Sequence, residues 1–557
     1  MMYSSLPKRV GNAVRLAEVV QVLVKHGFAD LVHRIGIYES LPAKALRRMR
    51  LIDGPPAAPE TLGARLRAAL TELGPTFVKY GQILSTRPDL IGADLCAELT
   101  KLQDRVDAQP FDAMRTVIEV DLVAPIAERF AEFNETAVAS ASLSQVYRAR
   151  TKAGREVAVK VQRPGVRSKI VSDINLLFGI AEWTVEHVPE FAWMDPVGLI
   201  EEFERSILRE LDFTIEARVI ERFRAIYAGD ARVFIPHVEM DLSGPRVLTM
   251  DWIDGVRVDA VDRFAERHCD PREVAIVGCH ASFSQVFEHQ IFHADPHPGN
   301  ILVTRGNQIA FLDYGMVGHL ERADVHAMAD LLRAVFDQDA QRCAAALLAF
   351  TKTGEVADPA AFAHEVASYL AFEAQTIVGS ANVGRGLERV TQILRRHKLQ
   401  LAPRFSMLLK AMATIESTAR VLDPAIDVTP IMRPYVEKLV VGRFSPQQLA
   451  HEGQDAMSML VRIGRQLPGD VHDLVRQARK GNLKVQLDHE GLDRLAHVTD
   501  RASNRIAFAV IAGSLIVGSC LLIATNTAAH SLGYTGFGIA GALGVVLLIS
   551  ILRSKNY

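Results

Sequence analysis

His293 to Asn300 reads HADPHPGN, and Phe311 to Gly315 reads FLDYG. Asp295 and Asn300 stand five residues apart, and a second carboxylate, Asp313, follows after a short apolar stretch. Phosphoryl transfer needs this grouping: an Asp with an Asn five residues on, then Asp-aromatic-Gly. Asn300 and Asp313 offer two oxygen ligands that can hold Mg²⁺ against nucleotide phosphates, with Asp295 near the attacking group. Upstream, Glu156 to Val161 reads EVAVKV, a strand that presents Lys160 as a clamp on the α- and β-phosphates. Such a lysine needs a carboxylate on a neighbouring helix, and Glu216 in ELDFTIEA supplies one. Each piece alone is weak, because VAVK strands and DYG triplets occur by chance. His293, Asp295 and His297 also have i, i+2, i+4 spacing open to a metal, and His293 reads equally as a core histidine. The order of the pieces favours an ATP site with Mg²⁺.

Three features depart from an ordinary protein kinase. The loop ahead of Lys160 runs Ala139, Ser140, Ala141, Ser142, Leu143, Ser144, Gln145, Val146, with no glycine. Its backbone cannot drape over phosphates as a glycine-rich loop does, because each Cβ limits positive φ and close approach. Helical pattern resumes by about Leu320, and no A-P-E follows, so the usual platform for a protein substrate is missing. Glu210 and Asp212 lie just before Glu216; on a regular helix Asp212 and Glu216 at i, i+4 repel by a few tenths of a kcal/mol. They call for a cation, a metal or a bend, unless they form a solvated acidic face. Far upstream, Gly74-Pro75 opens a short helix, TFVKYGQILST, that must end before Arg87-Pro88. It carries Lys79 and Gln82 at i, i+3, and alone Lys79 reads as a surface lysine.

The elements that position these residues follow a coarse plan. Residues 1–120 are mostly helical, with Leu16, Val19, Val20, Leu23 and Val24 in a stripe that packs on protein or lies on a membrane. The run IDGPPAAP at 52–59 breaks the pattern. Strands begin near Phe133, and Ala137–Arg150 with Arg155–Gln162 flank a Lys-Ala-Gly turn as a hairpin. A long helical stretch over Leu199–Ala228 precedes strand-like Val233–Asp241 and Arg246–Trp252. Ile301–Thr304 and Gln308–Leu312 form a small β pair, residues 320–440 return to helices, and 445–500 read as a polar connector. A mostly β part followed by a mostly α part, without internal repeat, is an α+β plan.

A net charge of −2 over 557 residues provides no sequence-wide basic field, so nucleic acid is not an expected partner. Cys96, Cys269, Cys279, Cys343 and Cys520 are scattered, without a CxxC, which disfavours a disulfide framework or zinc site. The N-terminus lacks the apolar run of a signal peptide, because Arg15, Glu18 and Lys25 interrupt it. The mean hydropathy of +0.11 is raised by the end of the chain. Ile506–Thr525 and Gly533–Leu552 each run twenty residues without a charge, about 30 Å as helices and long enough to span a bilayer. Arg501 and Arg505 before them, Arg553 and Lys555 after them, and an uncharged NTAAHSL linker predict both ends in the cytoplasm. Gly538, Gly541 and Gly544, with Ser514 and Gly518, would let the spans approach closely. A buried hairpin of a soluble domain is the other reading.

Together these residues resemble the UbiB family, the ABC1/ADCK atypical kinases, over about residues 60–440 in order. The resemblance rests on Lys79-x-Gly81-Gln82, the alanine-rich loop ending in Gln145-Val146, the lysine strand, Glu210-x-Asp212, the catalytic loop and DYG; the two C-terminal spans suit the proteobacterial branch. It implies a protein-kinase-like two-lobe fold with a helical N-terminal extension and a C-terminal transmembrane helical hairpin. The parts would be the extension at 1–120, an N-lobe at 121–255, a helical C-lobe at 256–440, a connector at 441–504 and the spans at 505–553. The extension would fold over the cleft, with Lys79 approaching Glu210 and Asp212 and blocking protein substrates, so that Lys79, Gln82, Glu210 and Asp212 would be regulatory. ATP would meet residues 139–146, Lys160, Asn300 and Asp313; Mg²⁺ would sit on Asn300 and Asp313; Asp295, Lys160 and Glu216 would be catalytic. The resemblance further implies a role in ubiquinone biosynthesis at the bacterial inner membrane, as a Mg²⁺-dependent ATPase or small-molecule kinase. Lipids, quinone precursors and other ubiquinone-biosynthesis proteins are then the expected partners, with self-association through the spans. A nucleotide-gated scaffold without turnover is the alternative. A hydroxylase finds no support, since there is neither a flavin fingerprint nor an iron-ligand cluster. Ser144 stands where the family usually has Gly, which stiffens the loop.

Overall fold

The computed structural model of the protein describes residues 6–30, 32, 61–102, 106–374 and 383–442, and short stretches between 507 and 544. It divides into two compact units, Met1–Ala450 and His451–Tyr557. The breaker at 52–59 and the connector at 445–500 lie outside the described residues.

The strands are β1 (Phe130–Phe133), β2 (Ala139–Ser140), β3 (Ser144–Thr151), β4 (Glu156–Gln162), β5 (Val233–Phe234), β6 (Val247–Asp251), β7 (Val256–Arg257), β8 (Ile291–His293), β9 (Ile301–Val303), β10 (Ile309–Phe311) and β11 (Val317–His319). One sheet has the order β1-β3-β4-β6 with β2 paired to β3; a second runs β5-β10-β9-β7; β8 and β11 form a third. The helices used below are α1 (Leu6–Lys25), α2 (Leu62–Leu73), α3 (Pro75–Leu84), α4 (Phe111–Asp121), α5 (Val166–His187), α6 (Pro196–Glu210), α7 (Phe213–Ile226), α8 (Pro271–Phe287), α9 (Arg322–Phe336) and α10 (Pro403–Leu422).

Period-two alternation on β4 fixes which side chains meet the site. Val157, Val159 and Val161 are fully buried in a core with Met114, Val117 and Ile118 of α4. Each buried valine contributes about 1.5–3 kcal/mol, so a one-residue slip that turned all three outward is strongly opposed. Ala158 and Lys160 therefore share the other face, where Ala158 joins the large core around α7 and α8.

The helical stretch expected over Leu199–Ala228 is two helices. Asp212 adopts extended φ/ψ (−123°, 95°) and its Oδ1 accepts from Thr214 N at 3.1 Å and Thr214 Oγ1 at 2.7 Å, capping α7. The expected strand over Val233–Asp241 shrinks to β5, and residues 240–242 form a 3-10 turn. On α1, Val19 and Val22 join the core of α2, α3, α5 and α6, and Val20 packs with Val32 and Trp183, so the stripe packs on protein. No activation segment intervenes after DYG. β11 pairs at once with β8 (Val317 opposite His293), and α9 starts at Arg322.

Fully buried Arg87 fastens the extension to the helical lobe. Its Nε and Nη2 pair with Asp89 at 3.0 and 2.8 Å, and Nη2 also donates to Leu401 O at 3.3 Å. Asp89 Oδ2 in turn accepts from Leu401 N at 2.9 Å, just before α10. Such a pair tolerates burial because its hydrogen-bonding positions are matched on both sides.

Of the spans expected at 506–525 and 533–552, thirteen and nine residues are described, and all of these are helical. Among the described residues no helix is long and apolar enough to cross a membrane. Among the described residues, a Cβ at Gly518, Gly538, Gly541 or Gly544 would meet nothing within 4 Å. Gly536 lies against Ser519 Oγ.

Candidate active site

β4 presents Lys160 opposite Val146 of β3 and Leu248 of β6. Its Nζ donates to both carboxylate oxygens of Glu216 at 2.9 Å and lies 3.5 Å from Asp313 Oδ1. Glu216 stands in the first turn of α7, where the helix dipole favours a carboxylate, and accepts from Tyr314 N at 3.3 Å. One carboxylate thereby couples the lysine strand, α7 and the DYG turn. Burial works against a charged Lys160, but Asp313 and Glu216 prevail and raise its pKa. Burial pushes Glu216 upward, with Lys160 pulling it back. Asp313 is held well below the usual carboxylate range: Lys160, Lys79 and the Gly315 N–H overcome its burial. Asp313 is therefore an anion and Lys160 a cation across the physiological range.

The catalytic loop leaves β8 at His293. Asp295 N donates to His293 Nδ1 at 3.2 Å, and Asn300 Nδ2 donates to Asp295 O at 3.3 Å. Leu312 N donates to Asn300 O at 2.9 Å, which sets Asn300 beside the residue preceding Asp313. These residues fit Mg²⁺: an ionised carboxylate and an amide whose nitrogen is already engaged offer hard oxygens, and nucleotide phosphates commonly complete such a shell. Asp313 Oδ1 also accepts from Gly315 N at 2.9 Å, which fixes the carboxylate's direction. The three-ligand alternative is not built, for His293 is buried, stacked on Phe311 at 5.5 Å, with Nδ1 occupied. Among the described residues no cluster of three His, Cys, Asp or Glu side chains suits a metal.

Sequence reasoning missed Lys410. It reaches from α10 to place Nζ 3.0 Å from Asp295 Oδ1, and holds the Asp295 pKa down against burial, with His297 at 4.0 Å adding to the effect. No local spacing connects a lysine so far along the chain with the loop.

The extension closes on the same cleft. Lys79, almost fully buried on α3, pairs with Glu210 at 2.6 Å, and Gly315 lies beside that glutamate. The three acids thus separate by role: Glu210 meets Lys79, Glu216 meets Lys160, and Asp212 caps a helix. Gln82 does not share the Lys79 environment; its Nε2 donates to Leu102 O at 3.3 Å within the extension. Gly81 explains the spacing of the motif, since a Cβ there would lie 2.5 Å from Leu102 Cδ1 and 2.8 Å from Leu70 Cδ1.

The alanine-rich loop is a tight turn, with Ala141 N donating to Ser144 O at 2.8 Å. Arg163 clamps it, donating to Ala141 O at 2.8 Å, Ser140 Oγ at 2.6 Å and Asp107 O at 2.9 Å. Two expected nucleotide contacts are turned elsewhere. Leu143 is buried in the core of the helical extension. Gln145 lies on the sheet face opposite Lys160, bonded to Gln109 N at 2.7 Å and Tyr147 OH at 2.7 Å. Val146 shares the Lys160 face, and Ala139 and Ser140 pair with Val146 and Gln145. Ser142 and Ser144 are buried in the turn.

A lysine strand tied to a helix carboxylate, facing an Asp/Asn loop and a DYG turn, defines a kinase-like domain. Residues 101–347 match the ABC1 atypical kinase-like domain, 378–427 the UbiB helical domain and 490–553 the ABC1/UbiB kinase-like C-terminal domain. A probable protein kinase UbiB of Pseudomonas putida (strain W619) is 32% identical over 93% of this chain and 95% of its own length. Another of Xanthomonas euvesicatoria is 31% identical over 97% and 99%. An uncharacterized protein in hydrogenase 1 5′ region of Clostridium pasteurianum is 31% identical over 98% and 99%. A solved structure of Mycobacterium tuberculosis Rv3197 with erythromycin is similar at a TM-score of 0.46 and 23% identity, covering 67% of this chain and 94% of that one. The chain belongs to the ABC1/UbiB family of atypical kinase-like proteins.

Proposed function

We propose that the cleft binds Mg-ATP and turns it over, as an ATPase or small-molecule kinase supporting ubiquinone biosynthesis. The observation that carries this is the bidentate Lys160–Glu216 pair at 2.9 Å with Asp313 3.5 Å away, on the cleft that Asp295 and Asn300 share. In this reading Lys160 holds the α- and β-phosphates, Asn300 and Asp313 hold Mg²⁺, and Asp295 orients the attacking hydroxyl or water. Mg²⁺ supplies charge neutralisation on the transferring phosphoryl group. A small or lipid-borne acceptor suits the cleft better than a protein chain, because α3 closes over it and no activation segment is present.

The reading extends to the bacterial inner membrane, with both termini cytoplasmic and lipids, quinone precursors and other ubiquinone-biosynthesis proteins as partners. Its support is the pair of twenty-residue uncharged runs with basic flanks, and apolar side chains left exposed there: Val510, Val517, Leu521 and Ile539 are each more than half exposed. The spans also provide a route for copies to associate. The test is ATP hydrolysis by the full chain in lipid, with and without Mg²⁺ and with quinone-precursor phenols added separately. Mg²⁺-dependent phosphate release that rises with lipid or phenol supports the reading; nucleotide binding without release favours the nucleotide-gated scaffold.

A further inference from the structure

Asp295 is held unevenly. Its backbone is fixed on both sides, by His293 Nδ1 on its N–H at 3.2 Å and Asn300 Nδ2 on its carbonyl at 3.3 Å. Its carboxylate is held otherwise. Among the described residues, Lys410 at 3.0 Å is the side chain within hydrogen-bonding reach, whereas His297 stands 4.0 Å off. Lys410 is itself rigidly mounted. α10 packs along α8 and is pinned at its start by Ala402 N to Phe350 O at 2.8 Å, Leu401 N to Asp89 Oδ2 at 2.9 Å, and Arg404 to Asp324 at 2.8 Å. The lysine is mostly sheltered, with 17% of its side chain exposed, so its ammonium is less screened than a surface pair. Among the described residues, three ammonium groups of the cleft each meet a different carboxylate: Lys160 with Glu216, Lys79 with Glu210, Lys410 with Asp295.

We infer that Lys410 is a positioning residue for the reaction: from the helical domain it fixes the Asp295 carboxylate, and with it the group that attacks the phosphoryl. The segment matched by the UbiB helical domain thereby contributes directly to the kinase-like cleft. Binding of the nucleotide rests on Lys160, Asn300 and Asp313, so losing Lys410 misaligns the attack and spares ATP affinity. Misplacement by about 1 Å lowers a rate on the order of 100-fold.

This inference rests on the ATP reading above. The test is steady-state ATP hydrolysis by the full chain in lipid, for wild type, Lys410→Met and Lys410→Arg, with melting temperatures of each. Methionine keeps the apolar stem and removes the charge. The expected result is a kcat on the order of 100-fold lower for Lys410→Met, KM for ATP within about twofold, a melting temperature lowered by no more than a few degrees, and recovery of at least about a tenth of the wild-type kcat in Lys410→Arg. An unchanged kcat overturns the inference, as does a raised KM with kcat kept. If Lys410→Met fails to fold, Lys410→Arg decides: a wild-type melting temperature with kcat down 100-fold or more overturns it. Wild type that turns over while Lys410→Met matches it refutes this inference alone. Wild type that neither binds nor hydrolyses Mg-ATP refutes the functional reading and this inference together.

Discussion

At the scale of single residues, Tyr314 shows how the DYG turn differs from a phenylalanine version. Its ring is buried, 5.3 Å from Phe223 and 5.8 Å from His293, and its hydroxyl has no hydrogen-bond partner among the described residues. Burying an unpaired hydroxyl costs about 1–3 kcal/mol. Tyr314→Phe should therefore keep the packing and raise the melting temperature by a few degrees in a thermal-shift assay; a lowered one would mean that water satisfies the hydroxyl. Arg163→Ala removes the clamp on Ala141 and Ser140 and should alter ADP and ATP affinity several-fold, read by calorimetry, with β4 left in place. The chemistry-bearing residues were legible because their types and order are restrictive: Lys160, Glu216 and Asp313 meet, and Asn300 is bonded through its backbone to the residue before Asp313. Asp212 was half legible. The i, i+4 conflict with Glu216 called for a cation, a metal or a bend, with a solvated acidic face as the other reading, and the structure uses a bend at Asp212 and lysines for Glu210 and Glu216. Lys410 was not legible, because a tertiary contact between distant segments leaves no local pattern.

Among elements, the β3–β4 hairpin was readable since alternation fixes register and face together. The turn between β2 and β3 was not, because no period runs through Ala141–Ser144, and Leu143 and Gln145 face partners contributed by other segments. Strand β11 was missed for a similar reason: three residues carry too little pattern, and their pairing with β8 is what makes them a strand. Helix α3 owes its seat to Gly81, where the chain approaches Leu102 and Leu70 closely. Gly81→Ala gains about 1 kcal/mol of helix propensity but overpacks by about 1–3 kcal/mol, so a net loss of stability is expected. Thermal unfolding of the full chain checks it, and an unchanged or higher melting temperature would show that the two leucines move aside freely.

For the whole molecule, the near-neutral charge and raised hydropathy are a sum of unlike parts, a polar kinase-like body and an apolar C-terminal segment. Truncation after Arg501 should give a protein that stays in the supernatant without detergent. Retention in the membrane fraction after alkaline washing would place the anchor elsewhere. The body is tied together through the extension, by Lys79–Glu210 at one end and Arg87–Asp89–Leu401 at the other, so the cleft is bounded by three parts of the chain. The central claim is that this cleft turns over ATP and that turnover is what the cell uses. Its most direct measurement pairs ATP hydrolysis by Asp313→Asn with rescue of ubiquinone synthesis by the same variant in a strain lacking the gene. Loss of both, with the protein folded and present at wild-type level, is the predicted result. Full rescue by a variant that no longer hydrolyses ATP would contradict it.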